Sequence, residues 1–179
     1  MADLAAELGA PGLRVFGDTI QPGADRTSTQ SWIAESIREL AEIAAARGVE
    51  IWIENHGDFA AAGETAAILK QAGSPKLGVV WDPANSFVAT EERPADGAAR
   101  LGVAIRHVHI KDLRRDRHGW NYVLTGEGTF PFLELKAALH DLQYDRFLSF
   151  EWEKKWHPEI AGADIALPHF VRWFRKNFA

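Results

Sequence analysis

Five short apolar segments, each followed by a polar turn and then by a helical pattern, constrain the fold of this chain most strongly. These segments are residues 12–17, 49–53, 77–81, 105–110 and 147–151. Strands of a parallel sheet are covered by helices, and they therefore read as nearly continuous apolar runs. The alternation of strand and helix predicts an α/β fold whose parallel strands form an open sheet or part of a barrel.

Helical patterns occupy the stretches between the strands. Between residues 33 and 44, apolar side chains recur at spacings of three or four, and Gly48 ends that helix. The stretch after the fourth strand, residues 111–130, is predicted as a long loop, and loops of this length are often functional. The last helix is predicted to begin near Pro168. Its predicted apolar face comprises Leu167, Phe170, Val171, Phe174 and Phe178.

Composition and charge bound the function. The 179 residues carry a formal net charge of −5, so broad attraction to nucleic acid or to an anionic membrane is not expected. There is no cysteine, which excludes disulfides, cysteine nucleophiles and cysteine-ligated metals. No apolar run approaches the roughly 20 residues that a membrane-spanning helix requires. The first ten residues lack the basic cluster of a signal peptide. We expect one domain over residues 1–179, located in the cytoplasm.

Potential metal ligands end four successive strands. They are Glu54, Asp82, His109 and Glu151, at intervals of 28, 27 and 42 residues. The carboxyl ends of parallel strands form the active face of α/β folds, so these side chains are expected to converge. Three carboxylates and one imidazole suit Mn²⁺, Mg²⁺ or Co²⁺, and they are also compatible with Zn²⁺ or Fe²⁺. The pattern predicts a site for one divalent ion with a position open to substrate oxygens.

Each polar residue near these strand ends also has a structural interpretation. Acidic residues there often cap the following helix or contact solvent. His107 points to the same face as His109 and is better explained as a hydrogen-bonded core histidine than as a second ligand. His56 and Asn85 either contact substrate or shape their loops. Lys111 either binds an anionic or hydroxylated substrate or forms a salt bridge.

Five motifs, in their order and spacing, resemble those of a known superfamily. They are Glu54-Asn55-His56, Trp81-Asp82-Pro83-Ala84-Asn85, His107-Val108-His109-Ile110-Lys111-Asp112, Gly126-Glu127-Gly128 and Leu148-Ser149-Phe150-Glu151. The superfamily is that of the xylose isomerase-like TIM barrels, and the closest likeness is to its sugar phosphate isomerase/epimerase group. The resemblance covers almost the whole chain.

The resemblance implies a (β/α)8 TIM barrel, truncated here to about the last five βα units. The length agrees, because 179 residues are fewer than the roughly 250 of a complete barrel. A partial barrel exposes two sheet edges, so we expect that the chain is either a fragment or mis-started gene product, or that self-association covers these edges.

Roles for individual residues follow from the same resemblance. Glu54, Asp82, His109 and Glu151 would hold the metal, and the two glutamates would act as an acid/base pair on an enediolate at the metal. The predicted substrate contacts are His56, Asn85 and Lys111. Many members of the superfamily carry histidine at the position of Asn85.

The leading functional hypothesis is a metal-dependent isomerase or epimerase of a small sugar, polyol or sugar phosphate. A dehydratase of a cyclic polyol is the nearest alternative, because it also removes a proton beside a carbonyl. A DNA-repair nuclease of the endonuclease IV type would need additional His and Asp ligands and a basic surface. A non-catalytic barrel fragment is the remaining alternative.

Overall fold

Five parallel strands in chain order make up the main sheet of the protein. The computed structural model describes residues 1–178. Its strands are β1 (Gly12–Phe16), β2 (Glu50–Glu54), β3 (Leu77–Trp81), β4 (Ile105–Ile110), β5 (Asp112–Asp116), β6 (Gly119–Val123) and β7 (Leu148–Phe150). The main sheet has the order β1-β2-β3-β4-β7, whereas β5 and β6 form a separate antiparallel hairpin. This order is that of consecutive βα units, and it confirms the predicted α/β fold. The single domain over residues 1–179 stays a prediction.

Helices follow the strands. They are α1 (Ala2–Glu7), α2 (Arg26–Ala45), α3 (Ala62–Ala72), α4 (Pro83–Thr90), α5 (Pro94–Leu101), α6 (Phe132–Asp141) and α7 (Ala163–Asn177), with 3₁₀ turns at Gly57–Phe59 and Gly102–Ala104. None of the helices within residues 1–178 combines the length and apolar character needed to cross a membrane.

The helix α2 illustrates how local sequence sets these elements. The carboxylate of Asp25 caps its first turn by accepting a 2.9 Å hydrogen bond from the Ser28 amide. Its small and branched apolar residues at three- and four-residue spacing form the buried face, whereas Leu40 in the same stretch is 41% exposed. That face comprises Ala34, Ile37, Ala41 and Ala44.

The core lies around the central strand β3, which is buried at all five positions. Trp81 and Phe59 are the largest fully buried side chains, joined by aliphatic residues from the sheet and the helices. Burial of one such side chain contributes about 1.5–3 kcal/mol. The apolar core therefore provides a rigid support for the polar residues at the ends of the strands.

The stretch predicted as a long loop after β4 contains the β5–β6 hairpin. The carboxylate of Asp112 anchors this segment, because it accepts hydrogen bonds from the amides of Leu113, Gly126, Gly128 and Phe130 at 2.8–3.3 Å. The most distant of these amides, that of Phe130, lies 18 residues along the chain from Asp112. The prediction of a loop is wrong for residues 112–123, which form this hairpin. Charged residues dominate β5, so its sequence lacks the apolar run that identifies the other strands.

The helix α7 begins at Ala163 rather than near Pro168, which lies inside it. The backbone oxygen of Gly162 accepts hydrogen bonds from the amides of Ile165 and Ala166, and Ala166 is buried. This packing starts the helix one turn before the proline. The predicted apolar face is correct only in part: Phe170, Phe174 and Phe178 pack against the core, whereas Leu167 and Val171 are exposed.

Candidate metal centre

The four strand-end residues predicted as ligands lie together in the structure. Glu54 is the last residue of β2, Asp82 follows β3, His109 lies near the end of β4 and Glu151 follows β7. Each offers one ligand atom, and these four atoms all lie within 4.8 Å of one another. Parallel pairing of neighbouring strands aligns their carboxyl ends and so collects these residues from a span of almost 100 residues.

Asp82 divides its two carboxylate oxygens between two tasks. Its Oδ1 caps α4 by accepting hydrogen bonds from the amides of Ala84 (2.9 Å) and Asn85 (3.1 Å). Its Oδ2 lies 2.8 Å from the Lys111 ammonium. The sequence analysis treats helix capping and metal ligation as alternatives for an acidic residue at a strand end. The Asp82 carboxylate caps α4 with one oxygen and lies in the cluster with the other.

The two glutamates are arranged alike. Glu54 Oε2 forms an ion pair with Arg14 Nη1 at 2.7 Å, and Glu151 Oε2 forms one with Lys111 Nζ at 2.7 Å. The other oxygens face the imidazole: Glu54 Oε1 and Glu151 Oε1 lie 3.3 and 3.7 Å from His109 Nδ1. Each glutamate thus has one oxygen held by a cation and one directed at the centre of the cluster.

His109 carries an unsatisfied nitrogen at the centre of this group. Within residues 1–178, its buried Nδ1 makes no hydrogen bond. Burial opposes protonation of the imidazole, but the carboxylates of Glu54, Glu151 and Asp82 outweigh it and raise the pKa of His109. A buried nitrogen without a hydrogen bond, surrounded by three carboxylates, fits a divalent cation, because the set offers one nitrogen and three oxygen ligands.

Lys111 lies inside the cluster and is only 3% exposed. Its ammonium contacts Asp82, Glu151 and Glu153 at 2.8, 2.7 and 3.2 Å. Burial favours the neutral amine, but Asp82 and Glu151 outweigh it, so the pKa of Lys111 is raised and the ammonium persists. Lys111 therefore forms the salt bridges that are one of its two predicted roles. Its contact with substrate stays a prediction.

His107 lies outside the ligand group. Its Nε2 lies 2.7 Å from Ser149 Oγ, and burial together with the neighbouring His109 lowers the pKa of His107. These contacts agree with the interpretation of His107 as a hydrogen-bonded interior residue.

A cavity of about 380 Å³ contains two of the three predicted substrate contacts, His56 and Asn85. Trp120 and Tyr122 of the hairpin form part of its wall. Tyr122 connects the cavity with the cluster: its hydroxyl donates to Glu153 Oε1 at 2.6 Å, and its ring lies 5.7 Å from Lys111 Nζ. The cavity is therefore large enough for a small molecule, and Tyr122 links its wall to Lys111 and Glu153.

Asn55 fixes the strand ends beneath this cluster. Its amide nitrogen donates to the Asp82 carbonyl at 2.7 Å, and its oxygen accepts from the Asp82 amide at 2.7 Å. The side chain is fully buried and also contacts the Ala60 carbonyl and Ser86 Oγ. It thereby ties the end of β2 to the residue that follows β3.

Three residues around the site were not identified from the sequence. Arg14 pairs with Glu54, Asp18 Oδ1 lies 2.9 Å from His56 Nδ1, and Tyr122 contacts Glu153. Arg14 had a sequence signal, because it is the one charged residue in an otherwise apolar strand. Tyr122 had none, since the segment around it was interpreted as irregular.

Comparisons with known proteins agree with this fold. A family model described as "Xylose isomerase-like TIM barrel" matches residues 1–176. An uncharacterised protein of Methanocaldococcus jannaschii is 30% identical over 126 residues, which cover 65% of this chain and 41% of that protein. The chain thus spans less than half the length of this curated relative.

Two solved structures have the same fold. The IolI protein with a bound zinc atom superposes with a TM-score of 0.82 at 17% identity, covering 100% of this chain and 68% of that chain. D-allulose 3-epimerase from Methylomonas sp. in complex with D-allulose superposes with a TM-score of 0.78 at 19% identity, covering 99% and 66%. At these identities the likeness establishes the fold alone, over about two thirds of each structure.

Proposed function

Because the chain belongs to the xylose isomerase-like TIM barrel family, we propose that it carries the metal centre of an isomerase or epimerase. Its substrate would be a small sugar, polyol or sugar phosphate. The observation that carries this proposal is the convergence of Glu54, Asp82, His109 and Glu151, whose ligand atoms lie within 4.8 Å of one another.

The four residues would hold one divalent ion, with Mn²⁺, Mg²⁺ or Co²⁺ favoured by the oxygen-rich set and Zn²⁺ or Fe²⁺ compatible with it. When bound, the ion supplies Lewis-acid stabilisation of negative charge on a sugar oxygen. The zinc atom bound to the structurally similar IolI protein supports a bound metal in a protein of this fold.

Glu54 and Glu151 are the proposed acid/base pair. One carboxylate removes the proton from a carbon beside the sugar carbonyl, and the other carboxylic acid returns a proton to that carbon or to its neighbour. Return to the opposite face of the same carbon inverts it, which is epimerisation. Return to the neighbouring carbon, with a proton shift between oxygens, gives the isomer.

His56, Asn85 and Lys111 are the proposed substrate contacts. His56 and Asn85 line the cavity beside the cluster, where an imidazole and an amide can exchange hydrogen bonds with hydroxyl groups. Lys111 can contribute positive charge next to the reacting oxygens, as its position between Asp82 and Glu151 supports.

The metal site is tested by elemental analysis and by titration of metal-free protein with Mn²⁺. We expect one ion per chain in the wild type and loss of binding in His109→Ala and Glu151→Gln. Glu35→Gln is the matched control, because Glu35 is exposed on α2 and lies outside the cluster. Unchanged metal content in both ligand variants would contradict the proposed ligand set.

The reaction is tested by incorporation of solvent deuterium into a panel of ketoses and ketose phosphates, followed by NMR. We expect exchange at a carbon beside the carbonyl, and a decrease of about 10²–10⁴-fold in Glu54→Gln and Glu151→Gln, the range of general acid–base catalysis. Loss of water from the substrate would instead indicate a dehydratase, and cleavage of an abasic duplex would indicate a nuclease. No reaction with any substrate would favour a non-catalytic fragment.

The metal titration and the deuterium exchange do not test two further predictions. The cytoplasmic location and self-association through the sheet edges stay predictions. Analytical ultracentrifugation of the purified chain tests the second of them directly.

A further inference from the structure

Arg14 holds one oxygen of a proposed catalytic glutamate, yet no step of the proposed reaction uses it. It lies on β1, next to β2 in the sheet, and its Nη1 contacts Glu54 Oε2 at 2.7 Å. Its guanidinium also lies 4.6 Å from the ring centroid of Phe16, the residue paired with Glu54 in the strand register. The ion pair and the aromatic ring together restrict where the guanidinium can lie.

The carboxylate that Arg14 holds is almost completely removed from solvent. Glu54 is 1% exposed, so water does not compete for its oxygens. A carboxylate free to rotate could present both oxygens to a cation, since Asp and Glu bind metals through one oxygen or through two. With Oε2 committed to Arg14, only Oε1 is directed toward His109 and the centre of the cluster.

Glu151 offers an internal comparison. Its Oε2 is held by Lys111, but that ammonium is shared with Asp82 and Glu153. A guanidinium is a planar donor with fixed geometry, whereas an ammonium is a point charge that its partners share. Arg14 therefore constrains the orientation of Glu54 more strongly than Lys111 constrains that of Glu151.

We propose that Arg14 is a positioning residue that restricts Glu54 to a single ligating oxygen in the metal centre. This inference rests on the proposed function, because it takes Glu54 as a metal ligand. Restriction to one oxygen preserves a coordination position for a sugar oxygen that a second carboxylate oxygen would otherwise fill. Arg14 thus influences the reaction through Glu54, without contact with the substrate.

The choice of variants and control separates the role of Arg14 from an effect on folding. Its side chain is 44% exposed, and because Arg14→Met leaves the buried Glu54 carboxylate without its cation, urea unfolding of each variant is measured beside its spectrum. Arg26 is a matched control: it forms a 2.7 Å ion pair with Glu64, is 49% exposed, and lies 5.4 Å from the ring of Phe59. Glu64 lies outside the ligand group.

The test is the visible absorption spectrum of the Co²⁺-loaded protein, which reports coordination number because six-coordinate Co²⁺ absorbs more weakly than four- or five-coordinate Co²⁺. Metal-free wild type, Arg14→Met, Arg14→Lys and Arg26→Met are titrated with CoCl₂. We expect a loss of band intensity in Arg14→Met, where Glu54 adds its second oxygen. Arg14→Lys should restore the wild-type spectrum only in part, because an ammonium constrains the carboxylate less than a guanidinium does, and Arg26→Met should leave the spectrum unchanged.

The other outcomes overturn the inference. Identical spectra in wild type and Arg14→Met would show that Arg14 does not control how Glu54 binds, while leaving the metal site intact. Increased intensity in Arg14→Met would mean that Glu54 leaves the ion, which contradicts a one-oxygen restriction. A wild type that binds no Co²⁺ would overturn the metal centre of the proposed function and this inference with it. A crystal structure of Co²⁺-loaded Arg14→Met gives the number of Glu54 oxygens directly.

Discussion

The two halves of the ligand cluster are built differently. On the side of β2 and β3, Glu54 and Asp82 are 1% and 0% exposed, whereas on the side of β4 and β7, His109 and Glu151 are 12% and 24% exposed. The strands differ in the same way, because β3 is buried throughout and β7 is a three-residue strand at the edge of the main sheet. One half is therefore enclosed by the core and the other borders solvent.

The bonds that hold the two halves also differ. Asn55 joins the ends of β2 and β3 through uncharged hydrogen bonds to both backbone groups of Asp82. Glu151 is held through charge, by the ammonium of Lys111. Neutral hydrogen bonds fix the backbone at Asp82 independently of what occupies the centre, and Arg14 holds Glu54 through an ion pair that no other carboxylate of the cluster shares. The Lys111 ammonium is instead shared among Asp82, Glu151 and Glu153, so the side chains that it holds can rearrange when another cation arrives. The comparison suggests a fixed half and an adjustable half.

The largest expected effect is on the fixed half. Asn55→Ala removes the partners of the Asp82 amide and carbonyl, and we expect a loss of about 3–5 kcal/mol, because each buried group left unsatisfied costs about 1–3 kcal/mol. Urea unfolding of the metal-free protein measures it. Asn121→Ala is the control, since Asn121 is exposed on the hairpin. A loss no larger than that of the control would remove the distinction between the halves.

A smaller effect is expected on the adjustable half. Lys111→Met leaves three carboxylates without their cation, and we expect a loss of about 2–4 kcal/mol, slightly less than for a fully buried pair because Glu151 and Glu153 are partly exposed. Unfolding of metal-free protein measures this loss, with the exposed Lys70→Met as control.

Adding a divalent ion should affect the stability of Lys111→Met and Asn55→Ala differently. Binding to the folded state stabilises by about 2.7 kcal/mol at a concentration of one hundred times Kd. Mn²⁺ should recover much of the stability lost in Lys111→Met, because it neutralises two of the three carboxylates, those of Asp82 and Glu151. It should recover little in Asn55→Ala, where Asp82 is misplaced. Equal recovery in both variants would contradict the assignment of one fixed and one adjustable half.

The smallest expected effect concerns pH. The folded pKa of His109 is raised, since its carboxylate neighbours outweigh its burial. The stability that this protonation contributes is therefore fully present below the unfolded pKa of about 6.5, and it is lost as pH rises through the folded pKa. In the metal-free protein, His109→Asn should lack this component of the pH profile. Mn²⁺ affinity of the wild type should increase over the same window, because binding displaces the proton.

Urea unfolding at a series of pH values, with chelator present, measures the difference between wild type and His109→Asn. His140→Asn serves as control, because His140 is 89% exposed. Parallel profiles for wild type and His109→Asn would show that the imidazole has no shifted titration.

The sequence predicts the fold class and the four ligand candidates because both depend on local signals. A short apolar run that ends in Asp82 or Glu151 is visible without knowledge of its neighbours. The β5–β6 hairpin cannot be predicted from local sequence, because Asp112 holds this segment through hydrogen bonds to amides 16 and 18 residues further along the chain. The pairing of Arg14 with Glu54 spans 40 residues and depends on which strands are adjacent. The predicted start of α7 near Pro168 is wrong because packing of the buried Ala166 starts the helix at Ala163.

The divided carboxylate of Asp82 gives helix α4 a direct covalent link to the centre. The oxygen that caps the helix and the oxygen that faces Lys111 belong to one delocalised group, so charge drawn toward one weakens the other as an acceptor. The same helix carries Asn85, Val88 and Ala89 on the cavity wall. Asp82 therefore joins the cluster to the wall of the cavity through a single helix, whose first turn it caps.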